Sequence, residues 1–192
     1  SIGIAYYPDH GRNMDELLRH ADAAMYDAKA RGRNTYRVYS ARMAEDATER
    51  TRLEAALRKA LDRDEIRLVY QPKLSLRSGR ITGVEALLRW NSVDLGHVPP
   101  SRFIPLAEET GLILPLGEWA LRQALSQARA WADAGMPQLR IAVNVSAVQL
   151  TRGGYSELVK MVLDGHGLAP GWLEIELTES ALMADPKRTG TT

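Results

Sequence analysis

Glu85 stands inside an otherwise apolar run, Ile81-Thr82-Gly83-Val84-Glu85-Ala86-Leu87-Leu88, and two further polar side chains interrupt comparable runs. Asn144 lies in Ile141-Ala142-Val143-Asn144-Val145-Ser146, and Glu176 lies in Leu173-Glu174-Ile175-Glu176-Leu177-Thr178. An ionised carboxylate in an apolar strand costs on the order of several kcal/mol unless it is paired or bound to a cation. Two carboxylates and one amide carbonyl, in a chain without Cys and without paired His, form a hard oxygen set. Such a set suits Mg²⁺ or Mn²⁺ better than Zn²⁺. Arg89, four residues beyond Glu85, could hold a phosphate bidentately beside that metal. The combination points to metal-assisted phosphoester chemistry. A plainer reading also stands: Glu85 pairs with Arg89 or Arg140, and Asn144 and Glu176 satisfy backbone groups at strand ends.

The elements that must position these residues alternate in type. Residues 1 to 7 read as a strand, and Pro8-Asp9-His10-Gly11 as a turn. A helix follows, capped by Asn13 with Glu16 as its box partner and carrying Met14, Leu17, Leu18, Ala21, Ala24, Met25 and Ala28 on one stripe. Thr35 to Tyr39 is a short strand, and Ala41 to Thr48, polar and without an apolar pattern, is the expected domain boundary. From Thr51 a second amphipathic helix runs to about Asp64. Strands at Arg67 to Tyr70 and Ile81 to Leu88 come next, then a helix from Leu116 to Ala134 closed by Gly135 and Pro137. Strand Leu139 to Val145, helix Tyr155 to Gly165 and strand Leu173 to Thr178 complete the pattern. Repeated βα units predict a parallel sheet covered by helices, doubly wound or a barrel, with its active site at the carboxyl ends of the strands.

Composition narrows the function classes. The chain has 192 residues, 45% of them apolar and 26% charged, which is enough apolar material for a packed core. Lys plus Arg number 25 against 24 Asp plus Glu, so phosphate recognition must be local rather than a global attraction to nucleic acid or membrane. The absence of Cys argues against disulfides and thiolate chemistry and suits a cytoplasmic location. No apolar run approaches the roughly 20 residues that span a bilayer, so no membrane contact is expected in this segment. His10, His20, His97 and His166 have no ligand-like spacing and are assigned no role.

Several motifs, in order and spacing, resemble the EAL domain of cyclic di-GMP phosphodiesterases. They are Tyr70-Gln71-Pro72-Lys73, Glu85-Ala86-Leu87-Leu88-Arg89-Trp90, the stretch from Val98 to Gly111, Asn144-Val145-Ser146, and Glu176-Leu177-Thr178-Glu179-Ser180. The resemblance implies a TIM-like barrel that linearises cyclic di-GMP to pGpG with two divalent cations, Mg²⁺ or Mn²⁺. By that resemblance Glu85, Asn144 and Glu176 look like metal ligands, with Glu85 also catalytic. Glu179 looks like the carboxylate that steadies an active-site loop, and Gln71, Leu87 and Arg89 look like substrate contacts. The later acidic strand end, Lys, Glu and Gln of the family are not in the chain, so its site is expected to be partial.

The opening residues carry a second resemblance. Ser1-Ile2-Gly3-Ile4-Ala5, Ala21-Asp22-Ala23-Ala24-Met25-Tyr26-Asp27-Ala28-Lys29 and Gly32-Arg33-Asn34 look like the end of a GGDEF diguanylate cyclase domain. Lys29 and Arg33 match residues that reach GTP phosphates in that family. The expected fold is thus α/β: a strand-helix-strand GGDEF remnant over 1–40, a linker and joining helix over 41–64, and an incomplete TIM-like (β/α) barrel over 65–192. An open half-barrel is expected to expose apolar surface and to associate with itself, a homodimer included, or with the missing part of the barrel. The expected function is that of a cyclic di-GMP phosphodiesterase fragment, inactive alone. The competing expectation is a degenerate EAL module acting as a cyclic di-GMP receptor or interaction domain that regulates an active GGDEF cyclase.

Overall fold

The computed structural model describes residues 1–30 and 32–177. Two compact units divide the chain, Ser1–Ala55 and Ala56–Thr192.

In the first unit, strand β1 (Ile2–Ile4) and strand β2 (Tyr36–Val38) pair in parallel through helix α1 (Met14–Ala30). Asn13 caps α1 by accepting from Glu16 N at 2.9 Å, while Glu16 Oε2 accepts from Arg12 N at 2.8 Å. The expected box therefore closes one residue before the cap. Gly3 is required by close packing, because a Cβ there would sit 1.9 Å from Ala21 O of α1. Asp27 on α1 receives a hydrogen bond from Arg37 Nε on β2 at 2.7 Å, tying helix to strand.

Helix α2 (Ala41–Ala60) takes in residues 41–48 as its first two turns, so the helix expected from Thr51 begins ten residues earlier. The stretch lacks an apolar stripe but is rich in Ala, Arg, Glu and Met, which favour helix without packing. Its two threonines are absorbed locally, Thr48 donating to Ala44 O at 2.9 Å and Thr51 to Ala47 O at 3.0 Å.

The second unit is built on a sheet of order β3-β4-β6-β7, with β5 also on β4: β3 (Ile66–Leu74), β4 (Ile81–Ser92), β5 (Gly96–Val98), β6 (Arg140–Val145) and β7 (Leu173–Leu177). Pairs β4–β6 and β6–β7 are parallel, but β3–β4 is an antiparallel hairpin, which corrects the expected all-parallel sheet. The link is too short for a crossover. Ser75 N donates to Arg80 O at 2.9 Å and Gly79 N to Ser75 O at 2.8 Å, with Gly79 at φ 65°. β3 also runs past Tyr70 through Pro72, which an edge strand tolerates because its missing N–H leaves no ladder bond inside the sheet.

Helix α3 (Pro100–Thr110) is not announced by periodicity, since it begins at a proline and contains Pro105. It ends at Gly111, whose φ of 75° is the left-handed C-cap. Helix α4 (Ile113–Asp133) starts three residues before the expected Leu116. Its Leu121, Ala124, Leu125 and Ala128 pack against Val84, Ala86, Ile141 and Val143 of the sheet. A short helix α5 (Ala147–Thr151) follows β6, and helix α6 (Tyr155–His166) adds Val162 and Leu163 to that core. Among the described residues the sheet does not close, and Ile175 and Leu177 on β7 stay 38% and 37% exposed.

Candidate active site on the inner face of the sheet

Strand alternation decides which side chains share a face. Val84 and Ala86 are core residues against α4, which turns Glu85, Leu87 and Arg89 to the other side of β4. Ile141 and Val143 do the same for Ala142 and Asn144 on β6. Leu68 and Tyr70 pack on that core from β3, and Leu173 packs on it from β7. Val69, Gln71 and Lys73 therefore share the inner face with Glu174 and Glu176.

Register then brings the polar members together. Gln71 lies opposite Glu85, Val69 opposite Leu87, Glu85 beside Ala142, and Asn144 beside Glu176. Asn144 Nδ2 donates to Glu85 Oε1 at 2.7 Å. Lys73 Nζ donates to Glu174 Oε1 at 2.9 Å and also to Glu176 Oε1. Arg140 Nη1 reaches Glu174 Oε2 at 3.5 Å. Burial is the largest influence on Lys73 and pulls its pKa down, but its bonds to Glu176 and Glu174 outweigh it and raise the value. The Lys73 hydrogen bond is the main cause that holds the Glu174 carboxyl below the usual range.

The plain ion-pair reading of Glu85 does not hold. Among the described residues Glu85 pairs with neither arginine: Arg89 Nη1 donates to Leu88 O at 2.8 Å, and Arg140 turns to Glu174. Asn144 satisfies a carboxylate rather than a backbone group.

Leu87, Arg89 and Asn144 border a cavity of about 210 Å³ with Glu108, Gly117 and Gln149 among its other walls. Burial, then the neighbouring Glu109, pushes the Glu108 carboxyl up. Gln149 is buried and closes a capping box at the start of α5: Ser146 N donates to Gln149 Oε1 at 3.1 Å and Gln149 N to Ser146 Oγ at 3.4 Å. That box fixes the turn two residues after Asn144. Gly117 is required there, since a Cβ would lie 2.1 Å from Gln149 Nε2.

Glu179 lies outside the described residues. Lys29 lies in the last turn of α1 and Arg33 follows the helix at φ 63°, both exposed on the first unit. Glu174 carries no role in the motif reading, and Lys73 enters it only as the last residue of Tyr70-Gln71-Pro72-Lys73, also without a role. Each stands two residues from a recognised position, Gln71 or Glu176, so period-two spacing alone puts it on the same face. Among the described residues no three His, Cys, Asp or Glu side chains cluster as a metal site. The set here is two carboxylates with an amide, and its oxygen donors on adjacent strands fit a hard divalent cation.

A half-open α/β sheet with an antiparallel first pair and acidic and amide side chains on its inner face defines a barrel-type α/β domain. The EAL domain family model matches residues 54–190, and the chain belongs to that family. A model for the diguanylate cyclase GGDEF domain matches residues 1–35. The bifunctional diguanylate cyclase/cyclic di-GMP phosphodiesterase MucR of Pseudomonas aeruginosa is 46% identical over 185 residues, covering 96% of this chain and 27% of its own length. The cyclic di-GMP phosphodiesterase PdeR of Escherichia coli is 42% identical over 183 residues, covering 95% of this chain and 27% of its own. The chain thus spans about a quarter of the length of these curated relatives. The solved PaMucR phosphodiesterase in complex with c-di-GMP superposes with a TM-score of 0.66 at 45% identity, over 70% of this chain and 55% of that one. Among the described residues no helix is long and apolar enough to cross a membrane.

Proposed function

We propose that this chain supplies the first part of a cyclic di-GMP phosphodiesterase site, which in the longer protein linearises the substrate to pGpG. The observation that carries this reading is the convergence of Glu85, Asn144 and Glu176 on three neighbouring strands of one face. Likeness to a phosphodiesterase solved with c-di-GMP supports the substrate class.

Glu85, Asn144 and Glu176 would hold Mg²⁺ or Mn²⁺, two ions in the complete domain. A divalent cation there would lower the pKa of an attacking water and stabilise the leaving oxygen of an in-line displacement. The chain's own residues bind and orient. Gln71, opposite Glu85 in register, offers an amide to the substrate beside the ligand set. Leu87 gives a guanine face an apolar wall. Arg89 has one nitrogen committed to Leu88 O and keeps the rest of its donors for a phosphate. Arg67 faces Arg89 across β3 and β4, an unfavourable like-charge pair that a phosphodiester would offset. Glu179 steadies a loop of the site in this proposal. Lys29 and Arg33 would serve GTP phosphates only with the rest of a GGDEF site beside them.

The test is product analysis with the full-length protein. Incubation with cyclic di-GMP and Mn²⁺ should yield pGpG, EDTA should abolish the product, and added Mn²⁺ should restore it. Binding of cyclic di-GMP without turnover would mark a receptor module instead.

A further inference from the structure

Among the described residues, Lys73 is the one cation on the inner face that touches the proposed ligand set. Its ammonium has three donors and uses them on two carboxylates, Glu174 at 2.9 Å and Glu176. Glu174 is held from its other oxygen by Arg140 at 3.5 Å, so it is anchored between two cations, while among the described residues Glu176 is ion-paired with Lys73 only. A divalent cation and an ammonium cannot share one carboxylate oxygen without strong repulsion. Whichever occupies Glu176 Oε1 displaces the other from that oxygen. Glu174 sits two residues upstream on the same face and already holds the ammonium, so Lys73 can leave Glu176 and remain paired.

We propose that Lys73 competes with the divalent cation for Glu176, and that Glu174 is the positioning residue that receives the ammonium when the cation binds. The inference rests on the reading of Glu176 as a cation ligand. Formal charge supports the direction of the effect. Lys73, Arg140, Glu174 and Glu176 sum to zero, and removal of Lys73 leaves one negative charge facing the cation. Lys73 and both glutamates are about a third exposed, so screening moderates the interaction.

The experiment is an Mn²⁺ titration of the full-length protein, followed by the loss of the free-ion electron paramagnetic resonance signal. The Glu176→Gln variant marks the part of the signal that belongs to this site. Lys73→Gln should tighten Mn²⁺ binding by about 10-fold, while Lys73→Arg, which keeps the charge, should leave it close to wild type. Glu174→Gln should weaken binding when Lys73 is present and have a much smaller effect in the Lys73→Gln background. Unchanged or weaker binding in Lys73→Gln overturns the proposal and leaves the metal reading intact. An equal Glu174→Gln effect in both backgrounds also overturns it, because Glu174 would then act on the cation directly. If no variant shows Glu176-dependent binding, the metal reading falls and this inference falls with it.

Discussion

Glu65 shows how one buried charge can define the end of a strand. Its side chain is 2% exposed and is spent on the turn after β4: it accepts from Trp90 Nε1 at 3.0 Å and Val93 N at 3.2 Å. Burial is the largest influence and opposes ionisation, but bonds from Trp90, Val93 and Ser92 and the charge of Arg63 prevail and lower the pKa. A carboxyl lowered in the folded state stabilises the fold above its unfolded pKa of about 4.3, and that contribution fades as pH falls through the folded value. Glu65→Gln should therefore destabilise the fold by about 1–3 kcal/mol at pH 7, since a charge-assisted acceptor is lost to a buried indole N–H. Urea titrations followed by tryptophan fluorescence should show the gap between wild type and variant narrowing as pH is lowered from about 4.3 through the folded value; a gap that stays constant or widens on acidification would contradict this role. Among the catalytic candidates, Glu85, Asn144 and Glu176 were legible because each breaks an apolar run. Lys73 was legible only as the end of the Tyr70-Gln71-Pro72-Lys73 motif, because Pro72 cuts the strand pattern just before it and hides the alternation that puts it on the same face.

At the scale of elements, what was legible followed packing. α1 and α4 carry continuous apolar stripes and are found close to their expected bounds, Met14–Ala30 and Ile113–Asp133. The first half of α2 and the whole of α3 carry none or are interrupted by proline, so propensity and capping rather than periodicity make them helices. The antiparallel start of the sheet was written in the brevity of the turn around Gly79, which excludes a helical crossover. The α4–α5 contact is the element that sets the Asn144 end of β6. Gly117→Ala should push Gln149 out of its capping box and cost about 1–2 kcal/mol. In a double-mutant cycle with Gln149→Ala the losses should be less than additive. Strict additivity, measured by the same urea titrations, would mean that Gly117 and Gln149 do not meet.

At the scale of the molecule, the proposed ligands come from far apart in the chain and meet only because three strands lie side by side. Glu85 is 59 residues from Asn144, yet their side chains are 2.7 Å apart. Composition could not foretell this, since a net charge of +1 gives no hint of an inner face where carboxylates, an amide and arginines are segregated. The exposed edge at β7, with Ile175 and Leu177 on its outer side, marks where the described sheet stops short of a closed barrel. In the proposed function, these strands bind and orient, within a chain that spans about a quarter of the length of its curated relatives. The most direct test is the rate of pGpG formation by full-length protein carrying Glu85→Ala, with folding checked by circular dichroism. The account predicts a loss of about 100-fold or more with the helix signal unchanged. Turnover within a few-fold of wild type would contradict it.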